Sequence, residues 1–244
     1  MSKDSPLTSQ ILEAANADLR LFSESLRQGP SAELYEMAAH HFGWDEDGGP
    51  GKGVRPLLCL LSSAAAGGDW RRALPAATSV ELIHNFSLIH DDIEDGSDLR
   101  RHRPTLWKLW GLPQAVNAGD ALFALARLSS YRLLELGHDA SIVLRVQHML
   151  DETCLDLMKG QYLDLSFDVE QPRVLERYFG TRKLADIRYD PYLQTLSQLV
   201  IEFSEPIKLN WAILDLASKI CNSNPLCDVC PIVDGCLSAQ SKNA

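Results

Sequence analysis

The residues best suited to chemistry lie between Glu81 and Thr105, in ELIHNFSLIHDDIEDGSDLRRHRPT. Leu82, Ile83, Phe86, Ile89 and Ile93 recur at helical spacing, so the segment begins as a helix. Asp91, Asp92 and Asp95 crowd the end of that helix. Positions four and seven apart share a helical face, which puts His84, Asp91 and Asp95 on one stripe. Bare carboxylates there repel one another and face the negative end of the helix dipole, an arrangement that a cation relieves. Oxygen-only donors suit Mg²⁺, which takes one or two carboxylates and completes its octahedron with water and substrate phosphate. Arg100, Arg101 and Arg103 follow, and their planar forks match phosphate oxygens. Upstream, Lys52 and Arg55 stand three residues apart near the start of another helix, where cations and orphan backbone N–H groups converge on an anion. Carboxylates for a metal beside cations for phosphate make a diphosphate site.

The full pattern, DDxxDxxxxRRxxPT, resembles the first aspartate-rich motif of the trans-polyprenyl diphosphate synthases, the family of farnesyl and geranylgeranyl diphosphate synthases. That family has Gly where this chain has His102. Gly51-Lys52-Gly53-Val54-Arg55-Pro56 is similar to the family's GKxxRP, and Gly160-Gln161-Tyr162-Leu163-Asp164-Leu165 to its GQxxDL. The three motifs stand in the family's order, and the resemblance covers about residues 5–167. It implies ionisation of an allylic diphosphate and alkylation of isopentenyl diphosphate by the resulting cation. It further implies that Asp91, Asp92 and Asp95 hold Mg²⁺ on the allylic diphosphate, which Arg100 also contacts. Lys52, Arg55, His84 and Arg101 would hold isopentenyl diphosphate. Phe86, five residues before Asp91, would plug the floor of the product cavity and limit products to C15–C20. A homodimer, or association with a full-length synthase, is the expected assembly.

Beyond residue 167 the family pattern stops. Its Lys-Thr pair, Phe-Gln pair, second DDxxD and basic tail are missing from the sequence, and the nearest candidate, Asp186-Ile187-Arg188-Tyr189-Asp190, has the wrong spacing. Without the second motif, prenyl transfer is expected to be impaired. Four of the six cysteines, Cys221, Cys227, Cys230 and Cys236, fall within sixteen residues here. In a chain without a secretion signal such clustering favours metal over disulfides. Cys59 and Cys154 sit singly in apolar helical patterns and read as small buried hydrophobes. Arg173 to Gly180, Leu209 to Leu216 and the cysteine cluster together are similar to the C-terminal part of the endonuclease III and adenine glycosylase family. That likeness implies a [4Fe–4S] cluster on the four cysteines. The spacing here is Cx5Cx2Cx5C against the family's Cx6Cx2Cx5C, and tetrahedral Zn²⁺ is the competing occupant. Asp168, five residues before Arg173, reads as an exposed loop carboxylate. The DNA-gripping loop of that family is missing, and residues 169–244 hold 8 Lys+Arg against 9 Asp+Glu, a net of −1. Nucleic acid is therefore not an expected partner. The chain reads as a chimera of two regions, a polyprenyl-synthase-like one over 1–167 and a glycosylase-like one over 168–244. An iron–sulfur module or a non-catalytic diphosphate-binding or dimerising subunit is the alternative function.

The elements that must position these residues are helices. Residues 8–28 form an amphipathic pattern ended by Gly29-Pro30, and Ser31 is placed to cap a second helix through Phe42. Leu57–Ala66 is apolar or small throughout and reads as buried on most sides. Leu74–Asp92, Asn117–Gly137, Ala140–Leu165 and Ile207–Ile220 complete the set. No stretch alternates with period two, so the fold class is all-α, a truncated isoprenoid-synthase-type bundle followed by a small helical cysteine module. At 244 residues with 45% hydrophobic content the chain can bury a substantial core. The net charge of −10 excludes general nucleic-acid affinity. MSKDSPLTSQ carries no apolar run, nothing reaches a membrane span, and the cytoplasm is the expected compartment.

Overall fold

The computed structural model describes residues 6–27, 29–44, 51–180, 190–202, 206–222 and 224–242. Helices α1 (Pro6–Ser23), α2 (Glu33–Phe42), α3 (Val54–Ala65) and α4 (Leu74–Glu94) lead to a hairpin of β1 (Leu99–Arg100) and β2 (Arg103–Pro104). Then come α5 (Leu106–Trp110), α6 (Leu112–Glu135), α7 (Ala140–Phe179), α8 (Pro191–Glu202), α9 (Pro206–Lys219) and α10 (Leu237–Lys242). The chain divides into two compact units, Met1–Cys154 and Leu155–Ala244. That division and the change of sequence character at 167/168 both fall within α7. Among the described residues no helix is long and apolar enough to cross a membrane.

In the first unit α4 packs mainly against α6. Leu82, Phe86 and Ile89 of α4 meet Ala115, Ala118, Leu122 and Leu125 of α6, with α2 contributing Met37 and Phe42. Small residues on α6 let the two backbones approach closely. At Gly119 an added Cβ would collide with the His90 imidazole of α4. Ile11, Ala15, Leu60, Trp70 and Ala77 form a second cluster among α1, α3 and α4. In the second unit Val174, Ile213 and Ala217 pack together, as do Leu175 and Leu193. Asp190 caps α8 there, its Oδ1 accepting from Tyr192 N at 3.0 Å and Leu193 N at 3.1 Å.

Several expectations need correcting. Ser31 belongs to a short 3₁₀ turn, and α2 begins after Ala32 with no side-chain cap. Helix α3 buries only Pro56 and Leu60, leaving Leu58 59% exposed. Helix α7 runs 40 residues. Its helical backbone therefore passes through 168, which is not in a loop. The Asp186–Asp190 segment lies outside the described residues apart from Asp190 itself.

Candidate functional site

Helix α4 ends in a Schellman arrangement that hands the chain to the hairpin. Ser97 N donates to Asp92 O at 2.9 Å and Gly96 N to Ile93 O at 3.2 Å, with Gly96 at a φ of 62°. The hairpin pairs Leu99 with Pro104 and Arg100 with Arg103. Its two turn residues, Arg101 (φ 52°) and His102 (φ 66°), are both left-handed. A two-residue turn of this hand matches the twist of the strands and normally recruits glycine or asparagine. The left-handed backbone at His102 is the physical reason a glycine suits that position.

Each strand is fastened to a helix. The Arg103 guanidinium donates to His40 O at 2.6 Å and approaches His40 Nδ1 at 3.0 Å, while His40 Nε2 lies 2.9 Å from Pro104 O. This pattern puts the imidazole proton on Nε2. On the other strand, Arg100 Nε donates to both oxygens of Asp92 at 2.9 and 2.8 Å. The Asp92 side chain is only 4% exposed and that of Arg100 29%. Burial pushes the Asp92 carboxyl up, and the Arg100 contact pulls it part of the way back.

The aspartates thus separate into two kinds. Asp92 is committed to Arg100, whereas Asp91, in the last turn of α4, and Asp95, its C-cap residue, stand four apart. Burial raises the Asp91 carboxyl, and the Asp95, Glu94 and Asp92 charges raise it further, opposed only by Arg100. Glu94 Oε2 is buried without a hydrogen-bond partner among the described residues. Mutually repelling carboxylates with an orphaned oxygen are a donor set that suits a hard cation such as Mg²⁺. Among the described residues no three His, Cys, Asp or Glu side chains converge closely enough to hold a single metal ion.

The basic residues of the two upstream motifs meet beside α4. The Arg101 guanidinium lies against Gly51, where an added Cβ would stand 2.8 Å from Nη1. A side chain at position 51 would displace the guanidinium. Lys52 and Arg55 are exposed at the start of α3. His84 is half-buried, and burial together with the Arg55, Arg101 and Arg100 charges holds its imidazole down at about 4. Its electrostatic neighbours are therefore arginines rather than the aspartates of its helical stripe. Glu81, half-buried one turn earlier, is pushed up by burial and pulled down by Asn85, Arg55 and Arg101. Sequence reasoning missed Glu81 and Glu94, since their part in the site emerges only when burial and the arginines are placed around them.

A cavity of about 110 Å³ is lined by His41, Asp92, Arg100, Arg101 and Arg103 together with the apolar Phe42, Pro104 and Leu106. Burial, then the Arg101 and Arg100 charges, holds the His41 imidazole at about 3, against 6.5 for an ordinary histidine. The unfolded chain binds this proton below pH 6.5 and the native chain does not until about pH 3, so stability falls with pH across that window. At pH 4.5 the loss from His41 alone is about 2–3 kcal/mol. His84 acts in the same direction. Chemical denaturation between pH 7 and 4.5 checks this: His41→Gln should flatten the slope, and an unchanged slope refutes it.

Phe86 is 4% exposed, in edge contact with Phe123 at 5.1 Å and His90 at 5.8 Å. It is a core residue of the α4–α6 interface and does not line that cavity.

In the second unit Cys221, Cys227, Cys230 and Cys236 all line one cavity of about 250 Å³. Cys221 follows the end of α9, Cys227 opens a 3₁₀ turn closed by Cys230, and Cys236 follows a second such turn at Val233–Gly235. All four are half-buried free thiols.

The polyprenyl synthetase family model matches residues 33–184. The chain is 38% identical over 171 residues to a (2E,6E)-farnesyl diphosphate synthase of Mycobacterium bovis, covering 66% of this chain and 46% of that protein. It is 40% identical over 174 residues to a geranylgeranyl diphosphate synthase of Mycobacterium tuberculosis, covering 67% and 47%. Among solved structures, a polyprenyl synthetase from Streptomyces coelicolor A3(2) superposes with a TM-score of 0.56 at 39% identity, over 67% of this chain and 47% of that one. A geranylgeranyl pyrophosphate synthetase from the archaeon Geoglobus acetivorans gives a TM-score of 0.56 at 28% identity, over 85% and 60%. The chain spans about half the length of the curated relatives it matches. With the family model matching well over half of its residues, the chain belongs to the polyprenyl synthetase family.

Proposed function

We propose that the first unit is the diphosphate-binding half of a short-chain prenyltransferase. The observation that carries this reading is the segregation of charge around the end of α4. Mutually repelling carboxylates of Asp91 and Asp95 lie at the end of α4, and Arg55 and Arg101 act on His84 two turns earlier, with Arg100 reaching both. Asp91 and Asp95 are the residues that would hold Mg²⁺, which supplies neutralisation of the departing diphosphate. Asp92 holds Arg100 in place beside them. Lys52, Arg55, His84 and Arg101 bind isopentenyl diphosphate and bring its alkene within reach of the allylic carbon. In the reaction the allylic C–O bond breaks and its electron pair leaves with diphosphate. The isopentenyl double bond then attacks the cation, and proton loss restores an alkene.

Phe86 limits the product to C15–C20 through its place in the α4–α6 interface. Because the second aspartate-rich motif is missing from the sequence, the chain alone turns over more slowly than a full-length synthase. Exposed Leu128, Leu144 and Met149 support association with a second copy or with a full-length synthase. The test is incubation with Mg²⁺, isopentenyl diphosphate and labelled geranyl or dimethylallyl diphosphate. Labelled C15 or C20 diphosphate is the expected product. Magnesium-dependent binding without turnover would replace this reading with that of a non-catalytic subunit, and no binding would overturn both.

A second reading belongs to the second unit, where the four thiols of one cavity are the ligand set of a [4Fe–4S] cluster. Sulfur-only donors select thiophilic metals. Tetrahedral Zn²⁺ on the same four sulfurs is the competing occupant.

A further inference from the structure

We propose that Arg177 is a positioning residue of the four-cysteine site, fixing the ligand segment and raising the reduction potential of the cluster it holds. This rests on the iron–sulfur reading above. Arg177 stands in the last turns of α7, and its Nη1 donates to Cys221 O and Asn222 O, each at 2.7 Å. The same nitrogen lies 3.4 Å from Cys221 Sγ, within reach of an N–H···S contact. The residue's own carbonyl accepts from Cys236 Sγ at 3.3 Å. One residue of α7 thus touches both the first and the last cysteine of the set. The neighbouring Tyr178 hydroxyl packs where a side chain at Gly235 would stand.

The cavity gives this contact its weight. Its walls are otherwise largely apolar, including Ile220, Leu226, Val233 and Ala239, and Arg177 is the one charged side chain among the described residues that line it. A cation interacts more strongly across such low-dielectric surroundings than across water. Ligation removes the Cys236 thiol proton and with it the contact to the Arg177 carbonyl, so the guanidinium on Cys221 is the tie that persists. Hydrogen bonds to cluster sulfurs and nearby charge set iron–sulfur potentials. A cation beside a thiolate ligand stabilises the more negative, reduced cluster most, which raises the potential.

The full-length chain, purified anaerobically, provides the test. Wild type should carry iron and acid-labile sulfide in equal amounts with a visible charge-transfer band, and Cys227→Ser should lose them. Arg177→Met should retain iron but titrate at a more negative potential, and Arg177→Lys should fall between the two. Arg177→Met with the wild-type potential would overturn the role of Arg177 while leaving the thiolate site standing. A wild-type chain without sulfide, or carrying Zn²⁺ alone, would overturn the cluster reading itself. If Arg177→Met loses iron at unchanged helical content while Arg177→Lys keeps it, positioning by charge is upheld. Loss of helix and iron together in both variants would assign Arg177 to folding and reject the proposal.

Discussion

Arg100→Met should lower the melting temperature of the first unit by about 6–12 °C, with no ligand present. The variant strands the Asp92 carboxylate, 4% exposed, without the guanidinium that grips both its oxygens. Removing one partner of a buried ion pair costs about 3–5 kcal/mol, and the lower figure suits a pair whose arginine keeps some contact with water. For a unit of this size each kcal/mol moves the midpoint by roughly 2–4 °C. Tryptophan fluorescence is a suitable probe, since Trp44, Trp70, Trp107 and Trp110 lie in the first unit and only Trp211 in the second. Arg100→Lys should recover part of the loss, because it restores a positive charge beside the carboxylate on a shorter, more strongly hydrated head group. If Arg100 served a bound diphosphate alone, the ligand-free midpoint of Arg100→Met would match wild type.

Asp91→Asn should move activity and stability in opposite directions. Prenyl transfer, or magnesium-dependent binding of inorganic pyrophosphate where transfer is slow, should weaken by about 10²–10³-fold, the scale on which one electrostatic group at a developing charge acts. The fold should gain a few tenths to about 1 kcal/mol, as a charge is removed from the negative end of α4 and from the company of Asp95 and Glu94. Such opposition marks a group held in place for use rather than for folding. Calorimetric binding and thermal melts of the same preparation check both halves. A variant that binds pyrophosphate as well as wild type refutes the metal-site reading. One that melts lower than wild type refutes the account of the repulsion.

The central helix and the two charged motifs were legible in the sequence because each depends on spacing along one element. Helical periodicity places Asp91 and Asp95 one turn apart whatever else the fold does. The parting of Asp92 from its neighbours was not legible, since it depends on a hairpin that returns Arg100 to the helix end. That hairpin left no trace in the pattern: its strands are two residues each, and its turn carries Arg101 and His102 instead of the usual glycine or asparagine. Sequence reasoning ended the seventh helix near residue 165, a natural boundary ahead of Pro172, which removes a helical N–H. The backbone nonetheless remains helical to Phe179. Cysteine spacing singled out the four thiols, whereas Arg177 beside them reads as an ordinary helix-end cation until Cys221 is folded against it.

The hairpin at residues 99–104 has a consequence for affinity. Arg100 is fastened to α4 through Asp92 and Arg103 to α2 through His40, so the backbone of Arg101 between them is already immobilised in the free protein. Ordering a loose residue upon binding costs about 1–2 kcal/mol of backbone entropy, and a ligand reaching Arg101 is spared it. Association there should accordingly be fast and enthalpy-led, with dissociation rather than loop closure setting the lifetime of the complex.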